Sequence, residues 1–436
     1  MDSNVATVSE EIPDSIADVT ADTNAPLSPA QTGASLASQL LLPRLLPAQA
    51  PASPSRAFAS SPSRLPHVVD VTMFWANESG GVKRYLLSKQ AYFERTARWK
   101  HSIVIPGALG VEPPGIPGIP IPFSSGYRIP LTARSSRKVM LQMAPDIIES
   151  GDPYQLAWAA LDSGERMNVP VVAFYHSDLP ELAARVFGAN ARRPAMAYAR
   201  KLYPRFDAVF APSVNTLERL GELGVRNALL QPLGVDTTVF HPSCKDESWR
   251  SEMGIDADVT VLLYVGRFAP EKNLDVLVEA VRQLGDRYAL VAMGAGPMVP
   301  SGPGVLAVPY EADTHRLARA MASADMLVHA GNQETFGLVA LEAMACGIPV
   351  VACAEGGLGE LVDASVGYSI RTCAAAQFAE AIRGIADRDL PALRQAARQR
   401  AKGYDWRVVL PGLEAHYRRI IGVSQSRQGT GQSRAA

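Results

Sequence analysis

Glu334 and Glu342 stand eight positions apart in Asn332-Gln333-Glu334-Thr335-Phe336-Gly337-Leu338-Val339-Ala340-Leu341-Glu342. A turn and the first half of a helix fit between two such carboxylates. The apolar run predicts a helix from Phe336 to about Cys346, with Thr335 as its N-cap and Gly347 and Pro349 as its stop. The first amides of a helix lack internal partners and sit at the positive end of its dipole, so this N-terminus suits a phosphate. Gly337 has no side chain to keep an anion away. Glu334 would lie beside whatever hangs from that phosphate, and Glu342 could accept from a pair of vicinal hydroxyls. Read alone, the same stretch could be an amphipathic helix with a solvated glutamate at each end.

Two cations stand on a second loop. Val259–Gly266 is a continuous apolar run, as in a strand buried on both faces of a parallel sheet. Arg267 follows Gly266 directly and Lys272 comes five residues later, both at the strand's carboxyl end. Arginine as a planar fork and lysine as a point charge can together clamp a diphosphate. A third candidate lies near the N-terminus. The strand Val68–Phe74 ends in Asn77-Glu78-Ser79-Gly80-Gly81, and a helix begins at Val82. Strand, glycine turn and helix N-terminus suit an oxygen-rich ligand. A plain tight turn would read the same way. His176 follows the buried strand Val171–Tyr175, at the edge where open α/β sheets bind ligands. A lone histidine there is more often structural, although a neutral imidazole could bond a ligand hydroxyl.

Further elements must position these residues. His101–Ile105, Ala208–Ala211, Ala289–Met293, Asp325–His329 and Pro349–Cys353 read as strands. Gly294-Ala295-Gly296-Pro297 is a broken dinucleotide fingerprint, because Val299 stands where the third glycine belongs. Pro113–Pro122 reads as a loop, and Glu355–Glu360 as a glycine loop. Glu181–Tyr203 reads as a basic amphipathic helix, fit for anionic lipid, an anionic acceptor or plain solvent. Leu317–Ala324 and Val408–Ile421 are further helices.

Composition sets bounds on the class. At 436 residues and 47% hydrophobic, the chain can form two or three cored domains. A net charge of −1 gives no global reason to expect nucleic acid as a partner. The four cysteines lack metal-ligand spacing. Their scarcity fits a reducing cytosol, and Cys346 and Cys353 read as small buried hydrophobes. The acidic N-terminus argues against a secretory signal, and no apolar run reaches the roughly 18–20 residues of a membrane span. The expected location is cytoplasmic, with peripheral contact at the cytoplasmic face of the inner membrane as an option.

The Glu-x7-Glu stretch resembles the signature of family 4 (group 1) retaining glycosyltransferases. So do Gly266-Arg267-Phe268-Ala269-Pro270-Glu271-Lys272-Asn273-Leu274 and Gly80-Gly81-Val82, and the resemblance spans roughly residues 66–422. It implies the GT-B fold: α/β, two Rossmann-like parallel-sheet domains facing a cleft, with a C-terminal helix crossing back. The implied division is a disordered extension over 1–65, an acceptor domain over 66–240 and a nucleotide-sugar domain over 241–405. A crossover helix over 406–422 and a disordered tail over 423–436 would follow. The resemblance implies sugar transfer from a nucleoside diphosphate to an acceptor hydroxyl with retention, without a metal or other cofactor. The acceptor could be a lipid, a polysaccharide or a small molecule. Gly80, Gly81, Gly266, Arg267, Lys272, Gly294, Gly296, Tyr310, Glu334, Phe336, Gly337, Leu338 and Glu342 would bind the donor. Glu334, His176, Arg267 and Lys272 would carry the chemistry. His176-Ser177-Asp178-Leu179-Pro180 also looks like a motif of members that glycosylate lipids. The alternatives are a non-catalytic sugar-binding or scaffold protein, which would be expected to lose the charged clamp, and a sugar-nucleotide epimerase.

Overall fold

The computed structural model describes residues 64–76, 80–107, 115–121 and 126–432, with side chains through Ser426. The expectation of disorder before residue 64 and the turn at 77–79 lie outside the described residues. The first half runs β1 (His67–Val71), α1 (Gly81–Thr96), β2 (Lys100–Gly107), β3 (Gly115–Pro120), β4 (Arg128–Pro130), α2 (Ala133–Met143) and β5 (Ile147–Ser150). It continues through α3 (Gln155–Met167), β6 (Val171–Phe174), α4 (Leu179–Phe187), α5 (Arg192–Leu202), β7 (Ala208–Ala211), α6 (Val214–Glu222) and β8 (Ala228–Leu230). Its strands form one sheet in the order β4-β3-β2-β1-β5-β6-β7-β8, parallel except for β3 against β4.

The second half holds α7 (Ser248–Glu252), β9 (Thr260–Val265), α8 (Leu274–Leu284), β10 (Tyr288–Met293), β11 (Val305–Val308), α9 (Thr314–Ser323) and β12 (Met326–His329). Then come α10 (Leu338–Ala345), β13 (Val350–Cys353), α11 (Gly356–Leu361), β14 (Gly367–Ile370), α12 (Ala375–Ala386) and α13 (Leu390–Gly403). Its sheet is parallel throughout, in the order β11-β10-β9-β12-β13-β14. The last element, α14 (Trp406–Gln432), returns to the first half.

Strand residues alternate between two cores because successive side chains leave opposite faces. Val68, Ile147, Val172, Phe174 and Phe210 enter one cluster, and Val69, Ile148, Val171, Ala173 and Val209 the other. In each sheet, connections diverge to opposite sides beside the first strand, between β1 and β5 and between β9 and β12. A crevice opens at such a point, beyond the carboxyl ends of the strands. The loop with Gly80 follows β1, and the loop with Arg267 and Lys272 follows β9. Glu334 follows β12.

Several local expectations are corrected. The Pro113–Pro122 stretch contains β3, which pairs β2 on one side and β4 on the other. Proline loses only its donor, and the Pro117 carbonyl still accepts from the Leu131 amide at 2.8 Å. The expected helix 181–203 is two helices, broken at Gly188, whose φ of +87° no helix accommodates. Glu355–Glu360 is mostly helical, as α11. Its glycines serve close approach, since a Cβ on Gly357 would lie 2.5 Å from the Phe336 Cα. α14 continues to Gln432, beyond the expected end near Ile421, and no proline follows Gly422 to stop it. Cys346 and Cys353 are buried as expected, but Cys353 is also bonded to Cys373.

Two crossings join the halves, and they lie side by side. Val235 and Asp405 form a parallel bridge, with Val235 N–H donating to the Tyr404 carbonyl at 2.9 Å and Trp406 N–H to the Val235 carbonyl at 3.1 Å. A Cβ on Gly234 would meet the Trp406 ring at 2.7 Å, so only glycine allows this approach. Arg398 donates to the carbonyls of Thr237, Phe240 and Ala345 at 2.8, 2.7 and 2.6 Å.

Beyond the crossings, α14 is fixed to the first half by buried polar groups. Glu414 accepts from Tyr92 Oη at 3.0 Å and Trp99 Nε1 at 3.1 Å. Tyr417 Oη donates to Glu149, which also accepts from Tyr85 Oη at 2.8 Å and Lys89 Nζ at 3.1 Å. Lys89 reaches Asp70 at 2.8 Å, and His101 bonds the same carboxylate. Burial pushes the Glu149 carboxyl up. For Asp70, burial is outweighed by Lys89 and His101, which hold it well below the usual carboxylate range. An open hollow of about 650 Å³, lined by Thr237, His241, Arg398 and Arg407 among others, lies by the crossings and contains none of the candidate site residues.

Candidate active site

The two loops of the second half are joined by named contacts. Asn273 adopts a left-handed conformation, φ +48°, and its Nδ2 donates to the Ala330 carbonyl at 2.9 Å. That bond draws the 270–273 turn onto the segment after β12. Lys272 Nζ then forms an ion pair with Glu334, with both side chains largely buried. His329, the last residue of β12, completes the group, with Nε2 3.4 Å from the Glu334 carboxylate. Its Nδ1 accepts from the Gly331 amide at 3.2 Å, which assigns the ring proton to Nε2. Burial alone would raise the Glu334 carboxyl. Lys272 and His329 outweigh it and hold the group well below the usual carboxylate range.

The helix between the glutamates starts later than the sequence suggested. Gly337, at φ +98°, is the N-cap, and α10 begins at Leu338. Thr335 is not the cap. Its hydroxyl donates instead to the His176 carbonyl across the cleft at 3.1 Å, and its carbonyl accepts from Thr216 Oγ1 at 3.2 Å. The Phe336 side chain turns inward, 4% exposed, and meets the Tyr404 ring edge-on at 5.8 Å. Only its backbone is left for a ligand. The first-turn amides of α10, at Leu338 and Val339, have no intrahelical acceptor.

The first half supplies the facing groups. Gly81 packs on the start of α10, where an added Cβ would lie 3.2 Å from Leu338 Cδ1. Glu360 of α11 accepts from the Val214 and Asn215 amides at the start of α6, at 2.9 and 2.5 Å. His176 stacks on Phe174 with centroids 4.4 Å apart, and its Nε2 is enclosed without a protein partner. The neighbouring Ser177 hydroxyl is likewise unpartnered. Burial pushes the His176 pKa down to about 3, so its ring is neutral at physiological pH.

A cleft of about 360 Å³ is lined by residues of both halves. It is lined by Gly80, Lys83, Arg84, Phe240, Tyr310 and Glu342, among others. Glu342 is 1% exposed, and one of its oxygens accepts from the Arg84 guanidinium. Burial raises its carboxyl, and Arg84 only partly offsets this.

The structure therefore brings together Lys272 with Glu334, Gly81 with Leu338, His176 with Thr335, and Gly80 with Tyr310 and Glu342. Arg267 stands apart, with its side chain 64% exposed and paired with Glu271 at 2.5 Å. Gly294 packs on Gly266, and Gly296 on the Phe268 backbone. A Cβ on Gly294 would lie 1.9 Å from the Gly266 carbonyl oxygen, and one on Gly296 2.3 Å from that of Phe268. These glycines let two strand-end turns stack. Sequence reasoning missed His329 and Arg84. His329 reads as a strand residue, and its only signal is a polar side chain closing an apolar strand at the carboxyl edge.

Comparison with known proteins agrees with this geometry. Residues 79–239 match the family described as Glycosyltransferase Family 4, and residues 245–404 match Glycosyl transferases group 1. A GDP-mannose-dependent alpha-mannosyltransferase of Mycobacterium tuberculosis is 32% identical over 295 residues, 64% of this chain and 74% of that protein. The GDP-mannose-dependent alpha-(1-6)-phosphatidylinositol dimannoside mannosyltransferase of the same species is 28% identical over 358 residues, covering 78% and 92%. Among solved structures, sucrose-phosphate synthase from Thermosynechococcus elongatus superposes with TM-score 0.67 at 21% identity, over 83% of this chain and all of that one. Anabaena HepE bound to UDP and glucose gives 0.64 at 19%, over 80% and 98%. The last two likenesses are of fold. With a relative above 30% identity and both halves matched, the chain belongs to the group 1, family 4 glycosyltransferases and is an enzyme with the GT-B fold.

Proposed function

We propose that the chain moves a hexose from a nucleoside-diphosphate sugar to a hydroxyl of a membrane-lipid head group, with retention and without a metal. GDP-mannose is the first donor to test, because that nucleotide sugar is named for several relatives. A lipid or inositol acceptor is favoured by the phosphatidylinositol dimannoside and inositol 3-phosphate enzymes among them. Residues 66–240 would serve the acceptor and 241–405 the donor. The observation that carries the reading is the facing of two sets of groups: Lys272, Glu334 and the start of α10 from one half, and Gly81 and His176 from the other.

In this reading Lys272, Arg267 and the amides at Phe336, Gly337 and Leu338 neutralise the diphosphate. Charge builds there as the anomeric C–O bond breaks, so donors already in position act most strongly in the transition state. Arg267 would leave Glu271 to join them. Glu334, held ionised, accepts from hydroxyls of the donor sugar, and Glu342 accepts from the ribose. Tyr310, with the turn at Gly294 and Gly296, lies toward the base. The acceptor oxygen attacks the anomeric carbon from the face the phosphate leaves, and a phosphate oxygen takes its proton. The neutral His176 ring steadies a sugar hydroxyl beside them.

The acceptor would be met at a membrane surface. No helix among the described residues is long and apolar enough to cross a bilayer. At the end of α4, however, Val186 and Phe187 are 61% and 79% exposed. Arg193, Arg200, Lys201 and Arg205 follow on α5 and the turn after it, while Arg185 and Arg192 are paired with Glu271 and Glu181. Such a surface suits anionic lipid. The test is calorimetry with common nucleotide sugars, followed by product analysis with lipid acceptors. Heat and transfer with GDP-mannose are expected. No heat with any nucleotide sugar refutes the reading.

A further inference from the structure

Arg84 lies one turn into α1, just past Gly80–Gly81, and reaches into the opposite half. Its guanidinium donates to one oxygen of Glu342, 258 positions away in sequence. The other oxygen, Oε2, is buried and has no protein partner. The Arg84 side chain is 26% exposed and lies over the Phe240 ring at 5.9 Å. The pair is therefore an ion pair across the cleft whose carboxylate is only half satisfied. It occupies the carboxylate that the proposed function gives to the donor's ribose.

We propose that Arg84 is a donor-displaced gate: it holds the ribose position on Glu342 in the empty enzyme and moves to the diphosphate when a nucleotide enters. This rests on the donor reading above. A vicinal diol offers two O–H donors, one for each oxygen of Glu342, including the orphaned Oε2. Arg84 satisfies only one. The displaced guanidinium does not lack a partner, because a diphosphate provides a bidentate acceptor and guanidinium is well matched to it. Gly81, three residues before Arg84, already packs on the start of α10, where that diphosphate would lie. The exchange leaves no charged group without hydrogen-bond partners: Glu342 gives up a cation for two hydroxyls, and the phosphates gain that cation. A ligand with ribose but no phosphate must displace Arg84 with nowhere to send it. A nucleoside diphosphate displaces it and then uses it.

The test compares binding of guanosine and GDP, and of uridine and UDP, to the full chain by calorimetry. Wild type should bind the diphosphate far more tightly than its nucleoside. Arg84→Met keeps the bulk of the stem and removes the charge. It should bind the nucleoside several-fold more tightly than wild type, because the competitor is gone, and the diphosphate more weakly. The diphosphate-to-nucleoside affinity ratio should fall at least tenfold. Arg84→Lys, which keeps a cation without the fork, should lower the ratio by a smaller factor and gives the answer if the Met variant fails to fold. A residue needed only for packing would weaken both ligands in parallel, so an unchanged ratio overturns the gate and leaves the donor site standing. If wild type binds no nucleoside diphosphate at all, the donor reading fails and the gate fails with it.

Discussion

Replacing Lys272 with alanine separates the chemical role of the site from its structural one. Lys272 is the cation fixed against Glu334, with side chains 15% and 22% exposed. Loss of one prepositioned donor to a developing anion typically costs about 3–4 kcal/mol of barrier. The expected fall in kcat is therefore roughly 100- to 1,000-fold. Arg267 should not compensate, since in this reading it already serves the diphosphate in the wild-type enzyme and cannot replace the cation fixed against Glu334. The stability cost should be smaller. Stripping the partner from a fully enclosed carboxylate costs about 3–5 kcal/mol. Glu334 keeps the His329 N–H and some contact with water, so about 1–3 kcal/mol is expected here. Steady-state transfer with saturating acceptor, beside circular dichroism and a thermal melt, reads both quantities. Lys272→Arg should recover part of the rate. A folded Lys272→Ala enzyme within about threefold of wild-type kcat/KM would refute the clamp, because a threefold loss is well under 1 kcal/mol.

Gly337→Ala should weaken both the fold and donor binding. Its φ of +98° strains any L side chain, and the new Cβ would lie 2.5 Å from Leu358 Cδ2. The combined cost is about 2–4 kcal/mol, moderated because Leu358 can shift. An unchanged melt with unchanged donor affinity would show that the turn tolerates a side chain. For His176 the sign follows from a pKa lowered from 6.5 to about 3 in the folded state. Between those values the unfolded chain binds the proton and the folded one does not, so His176 lowers stability as pH falls from 6.5 toward 3. His176→Gln removes this dependence. From pH 7 to pH 5, wild type should lose about 1–2 kcal/mol more than the variant in urea unfolding. Equal losses would mean that His176 is protonated freely in the fold.

The architecture was legible because the signals for it are local. Val259–Gly266 and Val171–Tyr175 are apolar runs ending in polar or glycine turns, and each is a parallel strand with a site residue at its carboxyl end. The Lys272-Asn273 pair could be noticed, but not the reason for its second member. Only the fold shows Asn273 bonding Ala330 and so bringing Lys272 to Glu334. The N-cap differs because threonine is a favoured cap residue only when its hydroxyl is free to accept from the first turn, and here the Thr335 hydroxyl donates to the His176 carbonyl. Arg84 could not be assigned from sequence, since its partner belongs to the other half. The strand inside Pro113–Pro122 was hidden for another reason. Proline forbids a donor but not an acceptor, and composition reports only the prohibition.

The bridge between Val235 and Asp405 limits how the enzyme can move. A single connecting strand of chain would act as a swivel and let one sheet turn its face away from the other. Two strands pinned together make a door with two hinge pins: it can swing, but it cannot spin. Each opening should therefore return Lys272 and His176 to the same opposed positions, however wide the mouth becomes to admit a donor.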